Sequence, residues 1–281
     1  MKLSLDAVER EVSRLWEEEV SRSQAVRVEL LTFVALVSEA SLFERAQATV
    51  AAVARAHPCR TIVVKWAPGV ERVITADVSL HRTPSGAACG DALVVEASGE
   101  AREWLPENIS RLALPDLPMC IWWVGDLPDY DRLFDRMLSD SDLLLVNSGE
   151  MDLRDLEKLS TILLKSRGRC ALSDLTWVRV RPWLELVARF FDDEDARRYL
   201  PSLERITIEF CPRDGSADVA SPQAALLLGW LAQAASLRKE AADWSRGDGW
   251  AQVILGRVAA RFQRRAREGV VPGAVLRVAI E

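Results

Sequence analysis

The sequence predicts an α/β protein: a mixed, mostly parallel sheet with flanking helices in the N-terminal domain, followed by a smaller α+β C-terminal domain. Two observations carry that expectation. Short runs of β-branched and aliphatic residues alternate with amphipathic segments through the first ~165 residues, the pattern of strands crossed by helices. Around Gly168 the rhythm changes, and long apolar helical segments precede the remaining strand-like runs.

In order, residues 3–20 form an amphipathic helix, with Leu5, Val8, Val12, Leu15 and Val20 near one face and Glu and Arg opposite. Residues 26–37 read as a buried strand. A helix follows from Ser38–Ala40 to Ala56 and ends at His57-Pro58, because proline biases the residue before it away from helix. Residues 61–66 form an apolar strand and Pro68-Gly69 a turn. Ile74, Ala76, Val78 and Leu80 alternate with polar residues, which marks a half-buried strand. Residues 92–97 are a further strand, 100–112 a helix interrupted near Pro106, 119–124 a buried strand, 129–138 a helix, 143–146 a strand and 153–165 a helix. Beyond Gly168 the expectation is helices at 174–191, 194–200, 222–237 and 252–267, with strands at 205–210 and 270–280. The domains divide as residues 1–24 (an N-terminal helix), 25–168 and 169–281.

The composition of 49% hydrophobic and 28% charged residues fits a chain of 281 residues with a substantial core. A net charge of -6 argues against broad attraction to nucleic acid or anionic lipid. The amphipathic N-terminus lacks the apolar centre of a secretory signal, and no apolar run approaches the ~20 residues of a membrane span. Five scattered cysteines without CxxC spacing read as reduced thiols, and the expected location is the cytoplasm.

Chemistry-bearing motifs are few. The two histidines are His57, beside Pro58 and Cys59, and His81, on the polar face of a strand and expected to be solvated. His57 and Cys59 admit a dyad; the plainer alternative is a helix-capping histidine and a buried thiol. Asp192-Asp193-Glu194-Asp195 reads as favourable charge at a helix N-terminus rather than a metal loop. Neither GxxxxGK[ST] nor GxGxxG occurs. The expectation is no catalytic residue, no metal and no cofactor. Ten tryptophans against two tyrosines is the unusual count, because tryptophan seals cores and also anchors interfaces.

Three segments join tryptophan with proline or aspartate: LPDLPMCIWWVGDLP (residues 114–128), ALSDLTWVRVRPWLELVARFFD (171–192) and SPQAALLLGWL (221–231). Trp122 and Trp123 on one strand would point to opposite faces, one inward and one outward. With HPCR at 57–60, and in this order, these segments resemble the OpcA family, the glucose-6-phosphate dehydrogenase assembly proteins, over roughly residues 25–235. The tail beyond residue 240 departs from the family's pattern. The resemblance implies a two-domain, non-catalytic protein of the pentose phosphate pathway that binds glucose-6-phosphate dehydrogenase and promotes its active oligomer. In photosynthetic relatives that regulation is linked to redox state; the cysteines here are not obviously paired, so such a switch is not expected for this chain. Partner contacts are expected near Trp122, Trp123, Asp126, Asp174, Trp177, Arg179 and Trp183, since Trp and Arg are the usual anchors of such patches. For Trp177 and Trp183 the alternative is sealing a domain junction. The competing class is a sugar-phosphate sensor or enzyme with a pocket between the domains, where Arg60, Arg179 and Arg181 would hold phosphate.

Overall fold

A computed structural model describes residues 2–23, 26–37, 39–67, 73–127, 132–166, 170–213, 218–237 and 244–281. Chain contacts divide it into two compact units, residues 1–146 with 160–173, and residues 147–159 with 174–281. The expected turn at residues 68–69 lies outside the described residues, as do residues 129–131 of the expected fourth helix and Gly168.

The first unit holds α1 (Leu5–Ser23), β1 (Thr32–Val37), α2 (Phe43–Ala56), β2 (Arg60–Ala67), β3 (Ile74–Arg82), β4 (Ala88–Ser98), α3 (Leu105–Leu112), β5 (Met119–Val124), α4 (Arg132–Ser139) and β6 (Leu143–Val146). A further helix, α5 (Leu153–Ser166), leads to β7 (Ala171–Asp174). The seven strands form one sheet in the order β3-β4-β2-β1-β5-β6-β7. β1 pairs in parallel with β2 and β5, β2 with β4, and β5 with β6; β3 is the antiparallel edge strand, paired with β4. Without β3 the order is that of doubly wound nucleotide-binding sheets, third-second-first-fourth-fifth-sixth. The central strands TFVALV and MCIWWV are buried at every position, as parallel strands covered on both faces must be.

Two expectations need correcting here. Strand pairing begins at Thr32, and residues 26–31 precede the ladder, joined to the region of β2 by the Leu30 N–H to Pro58 and Arg60 N–H to Leu31 carbonyl bonds. The reason is chemical: Arg27 and Glu29 turn inward to a buried carboxylate, leaving Val26, Val28 and Leu30 outside. Pro106 does not interrupt a helix. It sits in the first turn of α3, where its missing N–H costs nothing, after a 3₁₀ stretch at Gly99–Trp104.

The second unit contains α6 (Thr176–Phe190), α7 (Glu194–Arg197), β8 (Arg205–Phe210), α8 (Pro222–Ala234), β9 (Trp244–Gly247), β10 (Trp250–Leu255), β11 (Val258–Arg264) and β12 (Val275–Ile280). Its five-stranded sheet runs β12-β8-β11-β10-β9, with β8 and β11 parallel and the other neighbours antiparallel. One core packs α6 and α8 on this sheet: Val180, Ile206, Ile208, Phe210, Leu227, Leu231, Val253 and Phe262 are its centre. Ser221 caps α8 by accepting from the Ala224 N–H at 3.2 Å, and Pro222 takes the first helical position.

The expected helix at 252–267 is in fact the β10–β11 hairpin. Val253 and Leu255 face the core with Val258, Ala260 and Phe262, a period of two that an apolar count over eleven residues blurs into a helix. Gly256, at φ 62°, opens the two-residue turn, a Gly-X pattern that matches strand twist. The segment expected as one helix from Asp174 is a strand and then a helix, with Asp174 ending β7.

Candidate functional site

Doubly wound sheets bind ligands beyond the carboxyl ends of the strands, where the winding reverses. Here that point lies between β1 and β5. In nucleotide-binding members a glycine-rich turn follows the first strand, letting a diphosphate approach the backbone and a helix N-terminus. This chain instead places Glu39 and a 3₁₀ turn, Ala40–Leu42, ahead of α2. After β5 come Gly125, at φ 102°, and the exposed Asp126. Two carboxylates and no glycine cradle are unfavourable surroundings for a phosphate.

Both tryptophans of β5 are interior, at 9% and 2% exposure for Trp122 and Trp123, so neither points outward as the sequence suggested. β5 is a central strand with a packed layer on each side. Trp122 stacks on Phe33 (6.4 Å, 27°), and its N–H meets no acceptor among the described residues. Trp123 meets Phe134 edge-on at 4.8 Å, and its indole N–H donates to the Asp126 carbonyl at 2.9 Å. Trp123 thereby fixes the Gly125-Asp126 turn.

At the opposite, amino-terminal ends of the strands, Arg60 of the HPCR motif is buried and makes four side-chain hydrogen bonds and a further close ion-pair contact. Nε and Nη2 reach Asp91 (2.9 and 2.8 Å), Nη1 and Nη2 reach Glu9 (2.5 and 3.1 Å), and Nη1 also donates to the Leu112 carbonyl (2.7 Å). Asp91 also accepts from the Trp16 indole at 2.7 Å and from Arg27 at 2.6 Å. One cluster therefore ties α1, the segment before β1, β2, β4 and the end of α3. Fully ionised, Glu9, Glu29 and Asp91 outnumber Arg27 and Arg60 by one. Burial, then the neighbouring Asp91 charge, pushes the Glu29 carboxyl up to about 7. An arginine so committed is poorly placed to hold a substrate phosphate.

The histidine and thiol chemistry is equally committed. His57 is exposed at the C-cap of α2, while Cys59 is buried and its thiol is pushed up to about 12, first by desolvation. A thiol held that high is a poor nucleophile at neutral pH. His81 is not solvated as expected. It is half-buried, 2.7 Å from the Thr61 hydroxyl, and desolvation lowers its pKa. Among the described residues no group of three or more His, Cys, Asp or Glu is placed to hold a metal ion, and no helix is long and apolar enough to cross a membrane. Asp193, in the acidic run, accepts from the Asp195 N–H at 2.8 Å and caps α7.

The second unit carries the remaining singled-out residues. Buried Asp174 accepts from the Ser148 hydroxyl (2.5 Å), the Ser148 N–H (3.1 Å) and the Thr176 N–H (2.9 Å). The Thr176 hydroxyl oxygen accepts from the Gly149 N–H at 2.5 Å. Arg213 donates to the Gly149 and Glu150 carbonyls. A Cβ at Gly149 would sit 2.9 Å from an Arg179 guanidinium nitrogen and 3.1 Å from the Thr176 hydroxyl, so a side chain there would displace the end of Arg179 and crowd Thr176. This lattice positions the start of α6. Trp183 packs on the core with Leu184 and Val187, while Trp177 and Arg179 reach the surface. Arg179 lies 3.9 Å from Glu150 and Arg181 lies 2.9 Å from Glu185. Sequence reasoning missed Val178, Leu186 and Phe190, which are 71%, 61% and 65% exposed on α6. The readable signal was a spacing of four from Val178 through Pro182 and Leu186 to Phe190 on a face otherwise rich in arginine.

The chain is thus a two-unit α/β protein: a doubly wound sheet whose first strand is followed by no glycine-rich turn, and an α+β unit whose polar side chains bond its own backbone. Models of the glucose-6-phosphate dehydrogenase subunit N-terminal domain and C-terminal domain match residues 50–161 and 170–271, and the chain belongs to this OpcA family. The second match runs well past residue 240, where the family pattern was no longer visible in the sequence. The chain is similar to the "Putative OxPP cycle protein OpcA" of Synechocystis sp., 28% identical over 185 residues, covering 64% of this chain and 38% of that protein. The protein of the same description from Nostoc punctiforme is 28% identical over 208 residues, covering 68% of this chain and 42% of that one. The chain thus spans about two fifths of the length of these relatives. Among solved structures, a dehydrogenase from Thermus thermophilus, WlbA in complex with NAD and UDP-GlcNAcA, aligns at a TM-score of 0.46 with 12% identity, over 86% of this chain and 76% of that one.

Proposed function

We propose that the chain is a non-catalytic assembly factor of the cytoplasm that binds glucose-6-phosphate dehydrogenase and favours its active oligomer. The observation that carries this reading is the occupation of its chemistry. Arg60, Asp91, Asp174 and Thr176 are consumed in bonds that hold the fold, and the sheet's ligand position presents Glu39 and Asp126. Family membership supports glucose-6-phosphate dehydrogenase as the partner. Activation works by linkage: a binder that prefers the active assembly shifts the population toward it. A preference of about 1.4 kcal/mol gives about a tenfold shift. Trp177 and Arg179 serve as direct contacts in this scheme. Asp174 and Trp183 support them from within the second unit, while Trp122 and Trp123 are interior to the first unit's sheet and Asp126 follows its central strand β5.

The test is to mix the purified chain with the dehydrogenase of the same cell. The expected result is higher activity and co-elution at larger mass at micromolar concentration. Neither effect at that concentration sinks the reading. Activation without a change in assembly refutes the oligomer mechanism and keeps the partner. A thermal shift with glucose 6-phosphate alone, and no effect on the dehydrogenase, transfers support to a sugar-phosphate sensor.

A further inference from the structure

The outer side of α6 carries an exposed apolar row. Val178, Pro182, Leu186 and Phe190 stand four residues apart, so they climb one side of the helix as a continuous ridge. Such a stripe normally faces a core. Here the core side is already supplied by Thr176, Val180, Trp183, Leu184 and Val187. The same helix therefore has two apolar sides, one packed and one exposed. Phe190 meets Phe191 edge-on at 5.1 Å, which braces the end of the row.

The rim is charged with a bias. Arg179, Arg181 and Arg189 are exposed around the ridge against Glu185 and, 3.9 Å from Arg179, Glu150, a local excess of one positive charge on a chain of net charge -6. Past Phe191 the sequence turns acidic through Asp192–Asp195, so the positive rim is confined to the helix. Resting on the assembly-factor reading, we infer that this ridge is the surface that docks glucose-6-phosphate dehydrogenase, and that the dehydrogenase meets it with an apolar groove rimmed by Asp and Glu. A desolvated apolar centre supplies the affinity, and the arginines set orientation and encounter rate. Ridge residues project from a helix whose first residue is anchored by the Asp174–Ser148–Thr176 hydrogen bonds and whose inner side packs on the core.

The experiment titrates the dehydrogenase with wild-type chain, with Leu186→Asp/Phe190→Asp, with Val178→Lys, with Arg181→Glu and with Glu107→Lys, an exposed change on α3. All the α6 side chains changed are exposed, and circular dichroism checks that each variant keeps its fold. The double variant is expected to bind at least a hundredfold more weakly and Val178→Lys at least tenfold. Arg181→Glu loses about fivefold with a flatter salt dependence, and Glu107→Lys changes nothing. Wild type that fails to bind overturns the function and the surface together. Wild type and all α6 variants binding alike overturns the surface and leaves the function standing. A wild-type dimer that the double variant converts to monomer, with dehydrogenase binding intact, overturns the assignment in favour of a second copy as the occupant.

Discussion

Replacing Glu29 by glutamine tests the buried cluster around Arg60. The wild-type carboxyl is raised from an ordinary value of 4.5 to about 7, by burial first and by Asp91 second, against the opposing pull of Arg27 and Arg60. The folded state therefore holds a proton that the unfolded chain has released above pH 4.5. Stability attributable to this group falls as pH rises from about 4.5 to about 7 and then stays low. At about 1.4 kcal/mol per unit, the loss is roughly 3 kcal/mol. Glutamine reproduces the protonated form: its carbonyl can accept from the Asp91 N–H, now 3.4 Å from Glu29, without adding a third negative charge to the cluster. Urea unfolding of both proteins at pH 5 and pH 8 reads the difference. At pH 5 the glutamine variant is expected to be about 1 kcal/mol more stable, and at pH 8 about 3 kcal/mol more stable. Other titrating groups, His81 among them, cancel because both proteins carry them. An identical pH dependence in the two proteins refutes the charge accounting at this cluster.

Asp174→Ala removes the acceptor of three hydrogen bonds, two of them from backbone N–H groups that stay buried. The expected loss is about 2–4 kcal/mol, with faster hydrogen exchange at the Ser148 and Thr176 amides. The thiols of Cys59 and Cys120 are pushed up to about 12 and about 11 by burial. Peptide mapping after iodoacetamide at pH 8 is therefore expected to find both unmodified in the native protein and both alkylated in urea.

The strand-and-helix alternation of the first unit was legible because its signals are local. β1 and β5 are continuous apolar runs, α2 ends before Pro58, and β3 alternates cleanly. The β10–β11 hairpin was not legible as such: GlnValIleLeuGlyArgValAlaAlaArgPhe supplies apolar residues at both helical and strand spacings, and pairing with β8 and β9 decides between them. The same limit hid the role of Arg60. Its partners Glu9 and Asp91 lie 51 and 31 residues away, and only the folded sheet brings them to one guanidinium. Tandem tryptophans on one strand suggested one inside and one outside. That inference assumes a sheet with a solvated face, whereas β5 has packed layers on both sides.

Two exposed apolar rows compete as docking candidates, and their periods separate them. Val26, Val28 and Leu30 alternate with Arg27 and Glu29, and they are exposed while those two side chains reach Asp91. The cluster around Asp91 demands those inward charges, and the exposed hydrophobes are the residues that alternate with them. No such demand acts on α6. Its inner face is set by Val180, Trp183 and Val187, and polar side chains at 178, 186 and 190 would leave that packing unchanged. Solvent exposure favours polar residues at such positions, yet valine, leucine and phenylalanine occupy all three. A contact with another molecule accounts for the row on α6, while internal electrostatics already accounts for the row before β1.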